Sequence, residues 1–108
     1  MCAAELPKAH EANPKFTYLQ LPLADNTHFP LDKYLPEGLS FIESAVESGG
    51  RVLLHCAAGS SRSGSMAIAY KMKKRKLSYE QAEKEIKEIR PIVLPNPGFT
   101  EVLQRQSL

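Results

Sequence analysis

The apolar positions of the chain switch period several times, and each switch marks an element. Phe16-Thr17-Tyr18-Leu19-Gln20-Leu21 is rich in aromatic and β-favouring residues and stops at Pro22, which predicts a strand. Residues 22–30 read as a loop, punctuated by Pro22, Asp25, Asn26 and Pro30. Leu35, Leu39, Ile42 and Val46 then recur at i, i+4, i+7 and i+11, one face of a helix. Gly49-Gly50 closes that run, as a C-terminal glycine does. Pro36 lies inside it with Gly38 close behind. Either the helix starts there with Pro36 in its first turn, or it begins near Leu31 and kinks. Val52-Leu53-Leu54-His55 is a short continuous apolar run, which predicts a strand buried on both faces.

A small-residue stretch, 56–62, precedes a helix carrying Met66, Ile68, Ala69, Tyr70 and Met72. That helix ends in Lys73-Lys74-Arg75-Lys76, where cations suit the negative end of the dipole. Ser78-x-x-Gln81 is a capping-box pattern for the next helix, with Tyr79, Ala82, Ile86 and Ile89 on one face and Pro91 as its stop. Asn96 followed by Pro97 reads as the N-cap and first residue of a final short helix bearing Phe99 and Leu103. The order is strand, helix, strand and three helices. Buried strands with helices between them imply an α/β fold, with a mainly parallel central sheet flanked by helices.

Composition narrows the function classes. At 108 residues the chain is one domain, 1–108, and 43% hydrophobic with 24% charged residues is ordinary for a soluble globule. No apolar run is long enough to span a bilayer. Met1-Cys2-Ala3-Ala4-Glu5-Leu6-Pro7-Lys8 has no apolar segment after a basic start, so a secretory signal is not expected. The expected location is the cytoplasm, or else the nucleus, without membrane attachment. A net charge of 14 − 12 = +2 is too mild to imply nucleic-acid binding. Cys2 and Cys56 form no C-x-x-C pair, and His10, His28 and His55 are scattered, so zinc-ligand spacing is missing. In a reducing compartment, a single cysteine beside a histidine is a candidate nucleophile.

That cysteine stands in His55-Cys56-Ala57-Ala58-Gly59-Ser60-Ser61-Arg62-Ser63. Cys56 falls at the carboxyl end of a predicted strand, where α/β sheets bind ligands. The small residues Ala57, Ala58, Gly59, Ser60 and Ser61 let successive backbone N–H groups turn inward. Such a nest before a helix N-terminus binds a tetrahedral dianion and favours a thiolate over a thiol. The planar fork of Arg62 can clamp two phosphoryl oxygens, and Ser63 can donate to the sulfur and ease its departure. A proton donor for the leaving oxygen is also needed. The chain has two aspartates, Asp25 and Asp32. Asp25 lies just after the first predicted strand, at the edge where Cys56 falls if the strands are neighbours, and it is the chosen candidate.

His-Cys-x5-Arg-Ser resembles the signature of the cysteine-based protein tyrosine phosphatases. The likeness extends to Leu21-Pro22-Leu23-Ala24-Asp25-Asn26, Phe41-Ile42, Gly49 to Cys56, and Pro95-Asn96-x-Gly98-Phe99. Over roughly residues 2–106 it resembles the dual-specificity phosphatase family. The resemblance implies that Cys56 attacks phosphorus and forms a phosphocysteine. Arg62 and the loop residues Ala57 to Ser61 hold the phosphoryl oxygens. Asp25 protonates the leaving group and then acts as base for water. Ser63 helps expel the thiolate, His55 orders the loop, and Asn96 matches the family asparagine near it. No metal or cofactor is implied. The implied ligands are a phosphoprotein substrate and phosphate, sulfate or vanadate in the loop.

The resemblance also makes the chain look short at its N-terminus, lacking the family's first strands. An exposed sheet edge would then invite self-association. A second departure is Pro36-Glu37-Gly38, where the family has continuous helix. The loop positions Ala57, Ala58, Ser60 and Ser61 are neutral, which favours phosphoproteins over polyphosphorylated lipids. The expected activity is therefore hydrolysis of phosphotyrosine and phosphoserine or phosphothreonine esters. The alternative of another class is a non-catalytic phosphoprotein-binding module of the same fold. Each residue also has a plainer reading. Cys56 could be a buried structural cysteine, His55 a strand-end residue, Asp25 a turn residue and Asn96 a simple N-cap.

Overall fold

The computed structural model describes residues 2–3, 17–56 and 61–106. Two short strands, β1 (Cys2–Ala3) and β2 (Gln20–Leu21), pair in parallel, with Cys2 opposite Gln20 and Ala3 opposite Leu21. A single 3-10 turn, Leu31–Lys33, leads into α1 (Leu35–Glu47). The remaining helices are α2 (Arg62–Arg75), α3 (Tyr79–Ile89) and α4 (Pro97–Gln104). The predicted strand over 16–21 thus narrows to Gln20–Leu21, with Phe16 outside the described residues.

Helix α2 is the centre of the molecule. It packs against α1, α3, α4 and β1. A helix with neighbours on several sides buries more than one stripe. Gly64, Ser65, Met66, Ile68, Ala69 and Met72 are accordingly all buried. Ser65 is polar and fully buried, and its Oγ donates to the carbonyl of Ser61 at 2.6 Å. The core around α2 is completed by Leu21, Leu23, Leu31, Leu35, Leu39, Ile42, Tyr79, Ala82, Val93, Phe99 and Leu103.

Local chemistry sets the ends of the helices. Pro36 starts α1 and does not kink it, because a proline in the first turn lacks only an N–H that would have no partner there. Gly49, at φ 80°, takes the left-handed position that ends α1. Lys76 does the same for α2 at φ 56°, where the sequence shows only a basic helix end. The capping box of α3 is present in full: Ser78 Oγ accepts from Gln81 N at 3.3 Å, and Ser78 N donates to Gln81 Oε1 at 3.3 Å.

Three apolar expectations are corrected. Residues 51–56 form no ladder among the described residues, and Leu53 is 74% exposed. Val52 and Leu54 do pack against the core, so the segment buries one face by its period of two and leaves the other open. Val46 and Ile89 are exposed as well. Both stand in the last turns of their helices, where the apolar face outlasts the element that covers it.

Candidate active site

The site gathers where the extended segment 51–56 ends and α2 begins. Cys56 is half-buried at the end of that segment. Its Sγ lies 3.3 Å from Ser63 Oγ and accepts from Ser63 N–H at 3.4 Å. Helix α2 has no side-chain cap of its own, because Ser61 Oγ is engaged elsewhere. The sulfur takes the place of the capping oxygen at the second helical N–H. A donor N–H and the positive end of a 14-residue helix both favour a thiolate there.

Arg62 is the first residue of α2, half-buried, and its Nη1 donates to the carbonyl of Leu23 at 3.2 Å. Leu23 is two residues before Asp25, so the guanidinium is tied to the loop that carries the carboxylate. Asp25 itself is exposed in the loop that follows β2, and its Oδ1 accepts from Asn96 Nδ2 at 2.9 Å. Asn26 shapes the next turn by accepting from His28 N at 3.0 Å.

Asn96 caps α4: its Oδ1 accepts from Phe99 N at 2.9 Å. Its own backbone N–H donates to Ser61 Oγ at 3.0 Å. One residue therefore touches the carboxylate loop, the residue before α2 and the first turn of α4. Asn96 is thus an N-cap whose amide also reaches the loop bearing Asp25. His55 is half-buried immediately before Cys56.

The structure brings Cys56, Ser63, Arg62, Ser61, Asn96 and Asp25 to one corner through these contacts. Ala57, Ala58, Gly59 and Ser60 lie outside the described residues. Two backbone participants carry no signal in the sequence, the Leu23 carbonyl and the Thr27 carbonyl. A Cβ built on Gly98 would overlap the Thr27 carbonyl, so the first turn of α4 and the carboxylate loop touch backbone to backbone. The glycine in Asn96-Pro97-Gly98 was a signal for close approach, but nothing local names the partner. Among the described residues no helix is long and apolar enough to cross a membrane.

Comparison with known proteins places this arrangement in context. Residues 1–107 match a family model described as dual specificity phosphatase, catalytic domain. The chain is 41% identical over 88 residues to dual specificity protein phosphatase 15 of Homo sapiens, covering 82% of this chain and 30% of that protein. It is 38% identical over 102 residues to dual specificity protein phosphatase 1 of Arabidopsis thaliana, covering 94% of this chain and 50% of that one. The chain thus spans half or less of the length of these two relatives. A crystal structure of DUSP15 superposes with a TM-score of 0.88 at 36% identity, over 95% of this chain and 65% of that one.

Proposed function

The chain belongs to the dual specificity phosphatase family, and from that premise we propose that it hydrolyses phosphate monoesters of proteins through a phosphocysteine. The observation that carries the proposal is the sulfur of Cys56 standing at the N-terminus of α2. Ser63 contacts the sulfur there, and both Arg62 and Asn96 are bonded to the Asp25 loop.

In this reading the Cys56 thiolate attacks phosphorus in line with the ester oxygen. The Sγ–P bond forms as the bond from phosphorus to the leaving oxygen breaks. The departing electron pair takes a proton from Asp25. The guanidinium of Arg62 and the backbone amides of the loop through Ser61 hold the three equatorial oxygens, whose charge is spread in the transition state. In the second half, carboxylate Asp25 takes a proton from water, which attacks the phosphocysteine. The sulfur leaves as a thiolate, and the hydroxyl of Ser63 donates to it. His55 orders the start of the loop. No step calls for a metal.

Phosphotyrosine and phosphoserine or phosphothreonine proteins are the proposed substrates, because the neutral positions 57, 58, 60 and 61 offer no added cations for a polyphosphorylated ligand. A tetrahedral oxyanion such as phosphate, sulfate or vanadate is the simplest ligand. Consistent with this, a mouse protein described as a dual specificity phosphatase complexed with zinc tungstate superposes with a TM-score of 0.88 at 31% identity. The same reading carries a mainly parallel central sheet, of which the β1–β2 pair is the part described, and self-association through its edge. It also carries a role in signalling in the cytoplasm or nucleus, where a thiolate stays reduced.

The test is hydrolysis of p-nitrophenyl phosphate by the chain, beside Cys56→Ser and Asp25→Ala. Turnover that vanishes with the cysteine and drops with the aspartate is the expected result. A chain that melts cooperatively and binds a phosphopeptide without turnover would instead be a phosphate-binding module.

A further inference from the structure

Resting on the phosphatase reading, we propose that Ile92 and Leu94 are specificity-determining residues. They form an apolar rim beside the site and select phosphoproteins that carry a large aliphatic side chain close to the phosphorylated residue. Five large apolar side chains are exposed among the described residues, and Ile89 at 76%, Ile92 at 54% and Leu94 at 62% are three of them. A single exposed apolar residue is ordinary on a soluble protein, but three within one short run of chain make a patch. Arg90-Pro91-Ile92-Val93 closes as a turn, with Val93 N–H donating to the Arg90 carbonyl at 3.1 Å. Pro91 takes the second position of that turn, which its fixed φ suits. Pro91 and Pro95 bracket the pair, so Ile92 and Leu94 stand on restricted backbone, and a ligand that covers them has little chain freedom to remove.

The same segment is fastened to the catalytic corner at two points. Val93 is buried against the first turn of α2. A Cβ built on Gly64 would lie 2.6 Å from Val93 Cγ1, so the approach depends on glycine there. Gly64 follows Ser63, whose N–H donates to the sulfur of Cys56. Asn96 N–H donates to Ser61 Oγ at 3.0 Å, next to Arg62. Val93 points inward, and its neighbours Ile92 and Leu94 are turned out to solvent. Bond lengths along the path from Cys56 through Ser63, Gly64 and Val93 put the Cα atoms of Ile92 and Leu94 no more than about 20 Å from the sulfur. An extended peptide advances about 3.3 Å per residue, so one whose phosphate sits at Cys56 can meet the rim within about six residues.

Continuity with the site identifies the occupant. The chain that delivers its phosphate to Cys56 is the one brought alongside this segment. Both rim side chains are aliphatic, so what they add is removal of apolar surface from water, not charge. Leucine, isoleucine, valine or methionine in the substrate is the matching chemistry. Neither rim residue touches the sulfur or the leaving oxygen. The rim therefore discriminates by what flanks the phosphorylated residue, and a small aryl phosphate, which has no flank, is indifferent to it.

The full chain is assayed on phosphotyrosine peptides in a glycine-serine background. Each carries one leucine, or one asparagine of similar size, at successive positions on either side of the phosphotyrosine, and p-nitrophenyl phosphate serves as the substrate without flanks. At one or two positions leucine should raise kcat/KM about tenfold over asparagine, the scale of half-burying one leucine side chain. Ile92→Ser combined with Leu94→Ser should abolish that preference and leave turnover of p-nitrophenyl phosphate unchanged. Both side chains are exposed, so the melting temperature should hold, and the paired alanine substitutions serve if the serine pair folds poorly. Binding of the same peptides to Cys56→Ser, with and without the rim substitutions, reads the preference without chemistry. A flat leucine scan in the wild type, or a preference that survives the double substitution, would overturn the proposal. A flat scan with a sedimentation coefficient that falls in the double variant would overturn it too, and assign the rim to contact between copies of the chain. A leucine preference in binding that the rim substitutions abolish, without turnover of any substrate, would remove the phosphatase reading and leave the rim as a surface that selects phosphoproteins.

Discussion

Cys56 Sγ stands 3.3 Å from Ser63 Oγ and 3.4 Å from Ser63 N, so one residue of α2 meets the sulfur with both its hydroxyl and its backbone. The hydroxyl can change role with the state of the sulfur. It accepts from a thiol, and it donates to a thiolate. Its help is therefore greatest where negative charge builds on sulfur, as the phosphocysteine breaks down. For Ser63→Ala, kcat should fall by about 10²-fold, the scale of one lost oxyanion donor. The cysteine would still be phosphorylated, because the backbone N–H remains. Rapid-mixing kinetics should then show a burst of p-nitrophenol near one equivalent per chain, followed by slow turnover.

Arg62 is anchored at one end, with Nη1 on the Leu23 carbonyl at 3.2 Å. That anchor fixes the plane of the guanidinium relative to the loop bearing Asp25. Lysine offers one point charge and no fork, so it cannot hold the carbonyl and present paired donors to phosphate at once. Arg62→Lys should lower kcat/KM by about 10²- to 10³-fold. Vanadate affinity should fall as well, while the melting temperature changes little. Inhibition curves with vanadate and a thermal melt of both proteins check the two halves of that statement.

Much of this site was legible because its signals are local. The capping box at Ser78 and Gln81, the Asn96-Pro97 start of α4 and the Gly49 stop of α1 each depend on a few adjacent residues, and each is present. The spacing of Cys56 from Ser63 is likewise local, since the turn into α2 must bring them together. The resemblance to the dual specificity phosphatase family rests on His-Cys-x5-Arg-Ser and the segments that extend it, and residues 1–107 match that family's model. What the sequence did not reveal is tertiary. Leu53 looks like a core residue in any window, yet one face of its segment is uncovered. Ile89 continues an apolar stripe beyond the point where anything packs on it. The carbonyls of Leu23 and Thr27 carry no residue-type signal, because every residue has one. Asn96 reads as a cap or a supporting residue in the sequence, and its amide contact with Asp25 joins positions 71 residues apart, which no local pattern displays.

Tyr79 couples α3 to α4 away from the chemistry. Its hydroxyl donates to Glu83 Oε2 at 2.6 Å and lies 3.2 Å from Thr100 Oγ1. Burial, then the bond to the Glu83 carboxylate, pushes the phenol up to about 12 from its ordinary value near 10. A value raised in the folded state stabilises the fold fully below pH 10. That contribution is lost as the pH climbs from about 10 to 12, because the unfolded chain releases the proton first. Tyr79→Phe should cost about 1 kcal/mol at pH 8, the scale of one hydrogen bond. The gap between wild type and variant should close above pH 10. Urea unfolding of both proteins at pH 8 and pH 11 measures it, and a gap of equal size at both would contradict the assignment.

Gly98 tests whether the carboxylate loop is seated by α4 or merely lies near it. A methyl group here would land inside the contact distance of the Thr27 carbonyl oxygen, carbon and Cα, all of them backbone. No rotamer relieves such an overlap, so the loop must lift or the first turn of α4 must shift. Overpacking of this kind costs about 1–3 kcal/mol, and Gly98→Ala should lower stability by that amount. The same displacement would carry Asp25 away from Asn96 Nδ2 while leaving Cys56 and Ser63, which are joined to each other where α2 begins, in place. Activity toward a phosphothreonine peptide should therefore fall more than activity toward p-nitrophenyl phosphate. Alkylation of Cys56 by iodoacetamide should keep its wild-type rate and pH dependence. A parallel loss on both substrates with a changed alkylation profile would mean that the whole corner had moved, and that α4 supports the nucleophile as much as the acid.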